Sequence, residues 1–154
     1  MKRIIRVMCI FMACLLLTGC GNNKNITAPL DVVMEKLYAG IGDDEKPMLS
    51  NIEIDKENIS NFVGTDKIKF EEALASEPNI GSIAHSVVLV RVDKNEDIEE
   101  VKQEIKDNVN PRKWLCVGVE PEDVYIKNKG NLILVVIVED ETIRNKVSEA
   151  FDNL

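Results

Sequence analysis

Asp93, Asn95, Asp97 and Glu104 stand at the first, third, fifth and twelfth places of a calcium-binding loop, where oxygen ligands surround a hard cation. The sixth place of such a loop needs glycine for its sharp turn. Here it holds Ile98, which is also the first apolar residue of a helical repeat. The same residues are better read as a strand-to-helix turn with Asn95 or Asp97 as N-cap. With Asp97 in that role, Glu100 occupies the capping-box position.

His85 is the only histidine and lies beside Ser82 and Ser86, a grouping that invites a nucleophile and its base. In an extended strand, however, His85 and Ser86 point to opposite faces, no glycine-flanked elbow presents either serine, and no orienting acid is assignable. His85 is therefore expected at a strand entrance and is kept only as a weak ligand candidate, together with Arg112 and Lys113. That basic pair follows a helix end, where it either receives a ligand carboxylate or simply complements the helix C-terminus as exposed side chains. The acidic clusters at residues 43–45, 71–72 and 139–141 read as solvated loops or helix N-termini, not as paired acid/base groups. No glycine-rich phosphate cradle is present, and one histidine with one free cysteine leaves zinc short of ligands. No catalytic residue, metal or cofactor is assigned.

The remaining chemistry lies at the N-terminus. Lys2, Arg3 and Arg6 precede an apolar run over residues 7–17, and Leu17-Thr18-Gly19-Cys20 closes the segment. These four residues resemble the lipobox of bacterial lipoproteins. The apolar run has 11 positions, whereas a membrane span needs about 20, so a spanning helix is not expected. The resemblance implies that residues 1–19 are a signal peptide and that the Cys20 sulfur receives a diacylglyceryl group. The chain is then cut before Cys20, and its new amino group takes a further acyl chain such as palmitate. Such an anchor satisfies the two-signal requirement for stable membrane residence. It places the protein on the outer face of the cytoplasmic membrane.

Of the four cysteines, Cys9 and Cys14 leave with the signal and Cys20 is consumed, so only Cys116 remains and no internal disulfide is expected. Cys116 sits in the apolar run Trp114-Leu115-Cys116-Val117 and reads as a small buried hydrophobe. Loss of residues 1–19 takes three basic residues from 19 and none of the 27 acidic ones, leaving a net charge of −11. Nucleic acid is excluded as a partner by that charge, since affinity there comes mainly from cations that neutralise phosphates. Anionic headgroups repel it as well, so the acyl anchor must hold the protein at the membrane.

These residues need a scaffold, and its outline is visible. Residues 20–28 are expected to be the lipidated cysteine and a flexible tether, and residues 29–154 a single globular domain. Leu30, Val33, Met34, Leu37 and Tyr38 repeat at helical spacing, with Pro29 at the start and Gly40 past the end. Leu49, Ile52 and Ile54 suggest a short strand, and residues 55–63 a helical turn ended by Gly64. Residues 68–75 fit strand and helix equally, with a loop expected over residues 77–81. Residues 86–92 are nearly continuously apolar and β-branched, as in an interior strand. A helix carrying Ile98, Val101, Ile105 and Val109 follows, then a strand over residues 114–119. A hairpin pairs residues 124–127 with residues 132–138. A last helix carries Ile143, Val147, Ala150, Phe151 and Leu154, capped by Asp140 or Thr142. The result is an α/β (α+β) reading, a single two-layer domain with one mixed or antiparallel sheet and amphipathic helices packed on it.

The chain also resembles an uncharacterised family of small lipoproteins from Gram-positive anaerobes, catalogued as domain of unknown function 4358. The resemblance rests on the lipobox and short tether, on Glu77-Pro78-Asn79-Ile80-Gly81-Ser82-Ile83-Ala84-His85-Ser86 entering an apolar strand, on the helix after it, and on Gly130-Asn131-Leu132-Ile133-Leu134-Val135. It covers residues 30–140 and implies no activity. The function expected is a non-enzymatic, lipid-anchored binding or accessory module whose partner is an envelope protein, a peptide or a cell-wall component. The alternatives are a small envelope-acting enzyme and a solute-binding lipoprotein. The last normally needs a longer, two-lobed chain.

Overall fold

The computed structural model describes residues 25–154. The lipobox, Cys20 and the signal segment lie outside the described residues. Five strands form one antiparallel sheet in the order β1-β2-β3-β5-β4, with β1 Leu49–Ile54, β2 Phe70–Pro78, β3 His85–Val92, β4 Tyr125–Lys129 and β5 Leu132–Val138. Four helices pack on it: α1 Leu30–Tyr38, α2 Ser60–Val63, α3 Ile98–Asn108 and α4 Glu141–Asp152. One antiparallel sheet carrying amphipathic helices is the α+β architecture expected.

The helices divide between the two faces of the sheet, and the strand sequences require it. β3 and β5 are buried at every position, so neither has a solvent face. On one face Val88, Val90, Val92, Ile133, Val135 and Ile137 meet Ile59 and Val63 around α2 and Val101 and Ile105 of α3. On the other, Val87, Leu89, Leu134 and Val136 meet Val33, Met34 and Leu37 of α1 and Val147 and Phe151 of α4. Antiparallel strands usually keep one wet face; these lack the polar alternation that would allow it.

Local signals account for most boundaries. Asp97 caps α3 by accepting from the N–H groups of Glu99 (2.9 Å) and Glu100 (3.2 Å), and Asp140 caps α4 through the Ile143 N–H at 3.0 Å. Gly64 ends α2 at φ 81°, and a Cβ there would lie 2.0 Å from the Asn108 carbonyl oxygen. Both the left-handed backbone and the close approach require glycine. The ambiguous residues 68–75 resolve as strand from Phe70, and β2 runs on to Pro78, taking the first two residues of the expected loop and leaving residues 79–81 outside the strand. Its place between β1 and β3 decides this, since the strand pairs on both edges.

Three expectations are corrected. Residues 114–119 form no strand, because β4 occupies the position beside β5. The segment instead closes as a loop, with Leu115 N–H bonded to the Gly81 carbonyl at 3.0 Å and Val119 N–H to Pro111 at 2.8 Å. Its apolar character comes from Trp114, Val117 and Val119, which pack on the core without strand pairing. Cys116 is exposed, not buried, and takes φ 63°. Finally, the folded unit starts before residue 29. Ile26 and Ala28 pack on the core, Arg91 donates to both their carbonyls (2.7 Å to Ala28), and the Asn131 N–H meets Asn25 Oδ1 at 3.3 Å.

Candidate functional site

The strand-entrance residues His85 and Ser86 do point to opposite faces, and each lies in its own polar cluster. His85, 1% exposed, stacks on Tyr38 from α1, with ring centroids 6.0 Å apart. A hydrogen bond of 2.8 Å joins the Tyr38 hydroxyl and His85 Nε2. Burial pushes His85 down to about 4, opposed weakly by the nearby Asp140 carboxylate, so the imidazole is neutral at physiological pH. Burial likewise drives the Tyr38 phenol well above its ordinary value and keeps it protonated.

Ser86 lies on the opposite face, fully buried, and donates to the Glu77 carboxylate. Glu77 also accepts from Lys113 Nζ at 2.7 Å, and that nitrogen is 3.2 Å from Ser86 Oγ. The side chains of Lys113 and Glu77 are only 18% and 13% exposed. Lys113 further sits 5.1 Å from the Phe62 ring centroid and 5.2 Å from that of Trp114. The Arg112-Lys113 pair is therefore not two exposed cations at a helix end. Lys113 turns inward as the half-buried partner of Glu77, while exposed Arg112 pairs with Glu120. Proximity of Ser86 to a lysine has the residue types of a nucleophile and base. That lysine is engaged by Glu77 at 2.7 Å, and the fully buried serine has no surface for a substrate to reach.

The calcium-like residues are not brought together. Asp93 accepts from the Asn95 N–H and side-chain amide, Asp97 caps α3, and Glu104 points to Thr65 Oγ1 at 2.8 Å and to Lys67. Among the described residues no group of three or more His, Cys, Asp and Glu side chains is placed to hold a metal ion. The acidic clusters also separate. Glu45 is held low by the Gly42 N–H and then by Lys146, Glu72 pairs with Arg91 at 2.6 Å on β2, and Asp140 caps α4. Glu71 and Glu72 thus lie on a strand and not in a loop or at a helix start.

A shallow open cleft of about 310 Å³ borders His85, Ala84, Glu139 and Asp140. The imidazole lines it but spends its Nε2 on Tyr38, so no nucleophile stands beside the base. Comparison with protein-family models, curated proteins and solved structures finds no match to the chain. The Tyr38–His85 and Glu77–Ser86–Lys113 groupings could not be read from the sequence, since their members lie 47, 9 and 27 to 36 residues apart. The one signal available was alternation along β3, which separates His85 from Ser86.

Proposed function

We propose that this protein is a lipid-anchored, extracytoplasmic binding or accessory module without catalytic activity, held on the outer face of the cytoplasmic membrane through Cys20. Membership of the lipoprotein family resembling domain of unknown function 4358 belongs to the same proposal. The observation that carries it is the docking of residues 25–28 on the sheet, with Asn25 against the turn between β4 and β5. Asn25 is only five residue steps from Cys20, a reach of at most about 18 Å, so acylation there would hold the folded domain close to the bilayer. No described helix is long and apolar enough to cross a membrane. The buried His85 and Ser86 and the half-buried Lys113 all serve internal bonds, which supports a binding role over a catalytic one.

Lipid labelling and membrane fractionation of Cys20→Ala test the anchor. Loss of label with release or misprocessing of the chain is expected, and unchanged labelling with membrane retention refutes it. The rival reading, a small envelope-acting enzyme, rests on His85 at the edge of its cleft. General acid–base catalysis contributes about 100- to 10,000-fold, so a folded His85→Gln protein that fails to complement would favour the enzyme.

A further inference from the structure

The two edges of the sheet are protected very differently. β4 carries Lys127 and Lys129, a common means of blocking edge pairing, and both are fixed: Lys127 to Asp152 at 2.7 Å, Lys129 to the Asp152 and Leu154 carbonyls at 2.6 and 3.0 Å. β1 has no such guard. Ser50, Asn51, Ile52 and Glu53 are all exposed, and among the described residues the strand pairs on one edge only, with β2. Met48 and Ile52 are 79% and 38% exposed, and their spacing puts both on the face that Ile54 buries. An apolar strip thus ends at an open backbone edge.

The groove at the Ile54 end of β1 shows what charge belongs there. It encloses about 520 Å³ and is lined by Asp31, Glu53, Glu71 and Glu72. Glu72 pairs with Arg91, while Asp31, Glu53 and Glu71 make no ion pair among the described residues. We propose that β1 is a docking edge for an extended segment of a partner protein, which adds a sixth strand, lays apolar side chains against Met48 and Ile52, and places Lys or Arg in the acidic groove. Main-chain bonds supply affinity in strand addition, and alternate side chains supply specificity. A second copy is disfavoured as the occupant because both chains carry the same acidic groove and a net charge of −8, which becomes −11 if residues 1–19 are removed. This deepens the binding-module reading and rests on it.

The test uses the full chain in its native membranes, with a photo-crosslinking residue at Asn51, at Leu115 on an exposed loop, or at Lys127 on the guarded edge. The expected result is an adduct at position 51 and not at 127, mapped by mass spectrometry to a Lys- or Arg-containing segment of another protein. Ile52→Lys, which gives β1 the guard that β4 has, should lower its yield about tenfold. Glu53→Lys with Glu71→Lys should lower it more than about threefold, with the melting temperature unchanged. The assignment is overturned by adducts at 51 that map to a second copy or to lipid, or by a yield indifferent to these substitutions. Protein adducts at 115 but not at 51 would overturn the edge assignment and keep the binding module. No protein adduct at any position would count against both.

Discussion

His85 makes the stability of the fold depend on pH between about 6.5 and about 4. In the unfolded chain the imidazole takes its proton near 6.5, whereas burial against Tyr38 holds the folded value at about 4. Above 6.5 neither state is protonated, and the native state keeps its full stability. Between 6.5 and about 4 only the unfolded chain binds the proton, so stability falls as the pH falls, and the loss levels off below about 4. That gap, at about 1.4 kcal/mol per pH unit, corresponds to about 3 kcal/mol. For a domain of this size it amounts to about 10 °C in melting temperature. Thermal unfolding of the wild type and His85→Gln at about pH 7, 5.5 and 4.5 isolates the effect. Glutamine is neutral throughout and can keep a hydrogen bond to Tyr38. Asp43, Glu45 and Asp93, held low by Lys46, the Gly42 N–H and the Asn95 N–H respectively, contribute equally to both proteins. Parallel curves for the two proteins down to pH 4.5 would refute the assignment of a buried neutral histidine.

Lys113→Ala leaves the largely buried Glu77 without its cation and should cost about 2–3 kcal/mol in chemical denaturation. Glu77→Gln combined with Lys113→Met should cost less than Lys113→Ala alone, and additive losses would count against the pair. Arg91→Ala frees the carbonyls of Ile26 and Ala28 and should open residues 25–29 to limited proteolysis, with a loss of about 2 kcal/mol. Cys116→Gly relieves a left-handed backbone at an exposed site and should stabilise by about 0.5 kcal/mol, read as a small rise in melting temperature.

Periodicity and caps were enough to outline α1, α3, α4, β3 and the β4–β5 hairpin, because each depends on contacts within a few residues. Asp97 and Asp140, each one of two cap candidates in the sequence, cap their helices, and Gly64 stands where a left-handed residue is needed. The continuous apolar runs of β3 and β5 also required cover on both faces. Tertiary structure alone decided the rest. Residues 68–75 became strand because two neighbours bond to them, and residues 114–119 lost their strand because β4 fills the site beside β5. The same loop turned Cys116 outward and Lys113 inward, reversing what local hydropathy suggests for each. Charge composition and the N-terminal residues carry information without a fold, whereas the Ser86–Glu77 hydrogen bond and the Glu77–Lys113 ion pair, between residues 9 and 36 apart, exist only once the chain has folded. Which edge of that sheet stays open is a property of strand order, and strand order is a property of the whole chain.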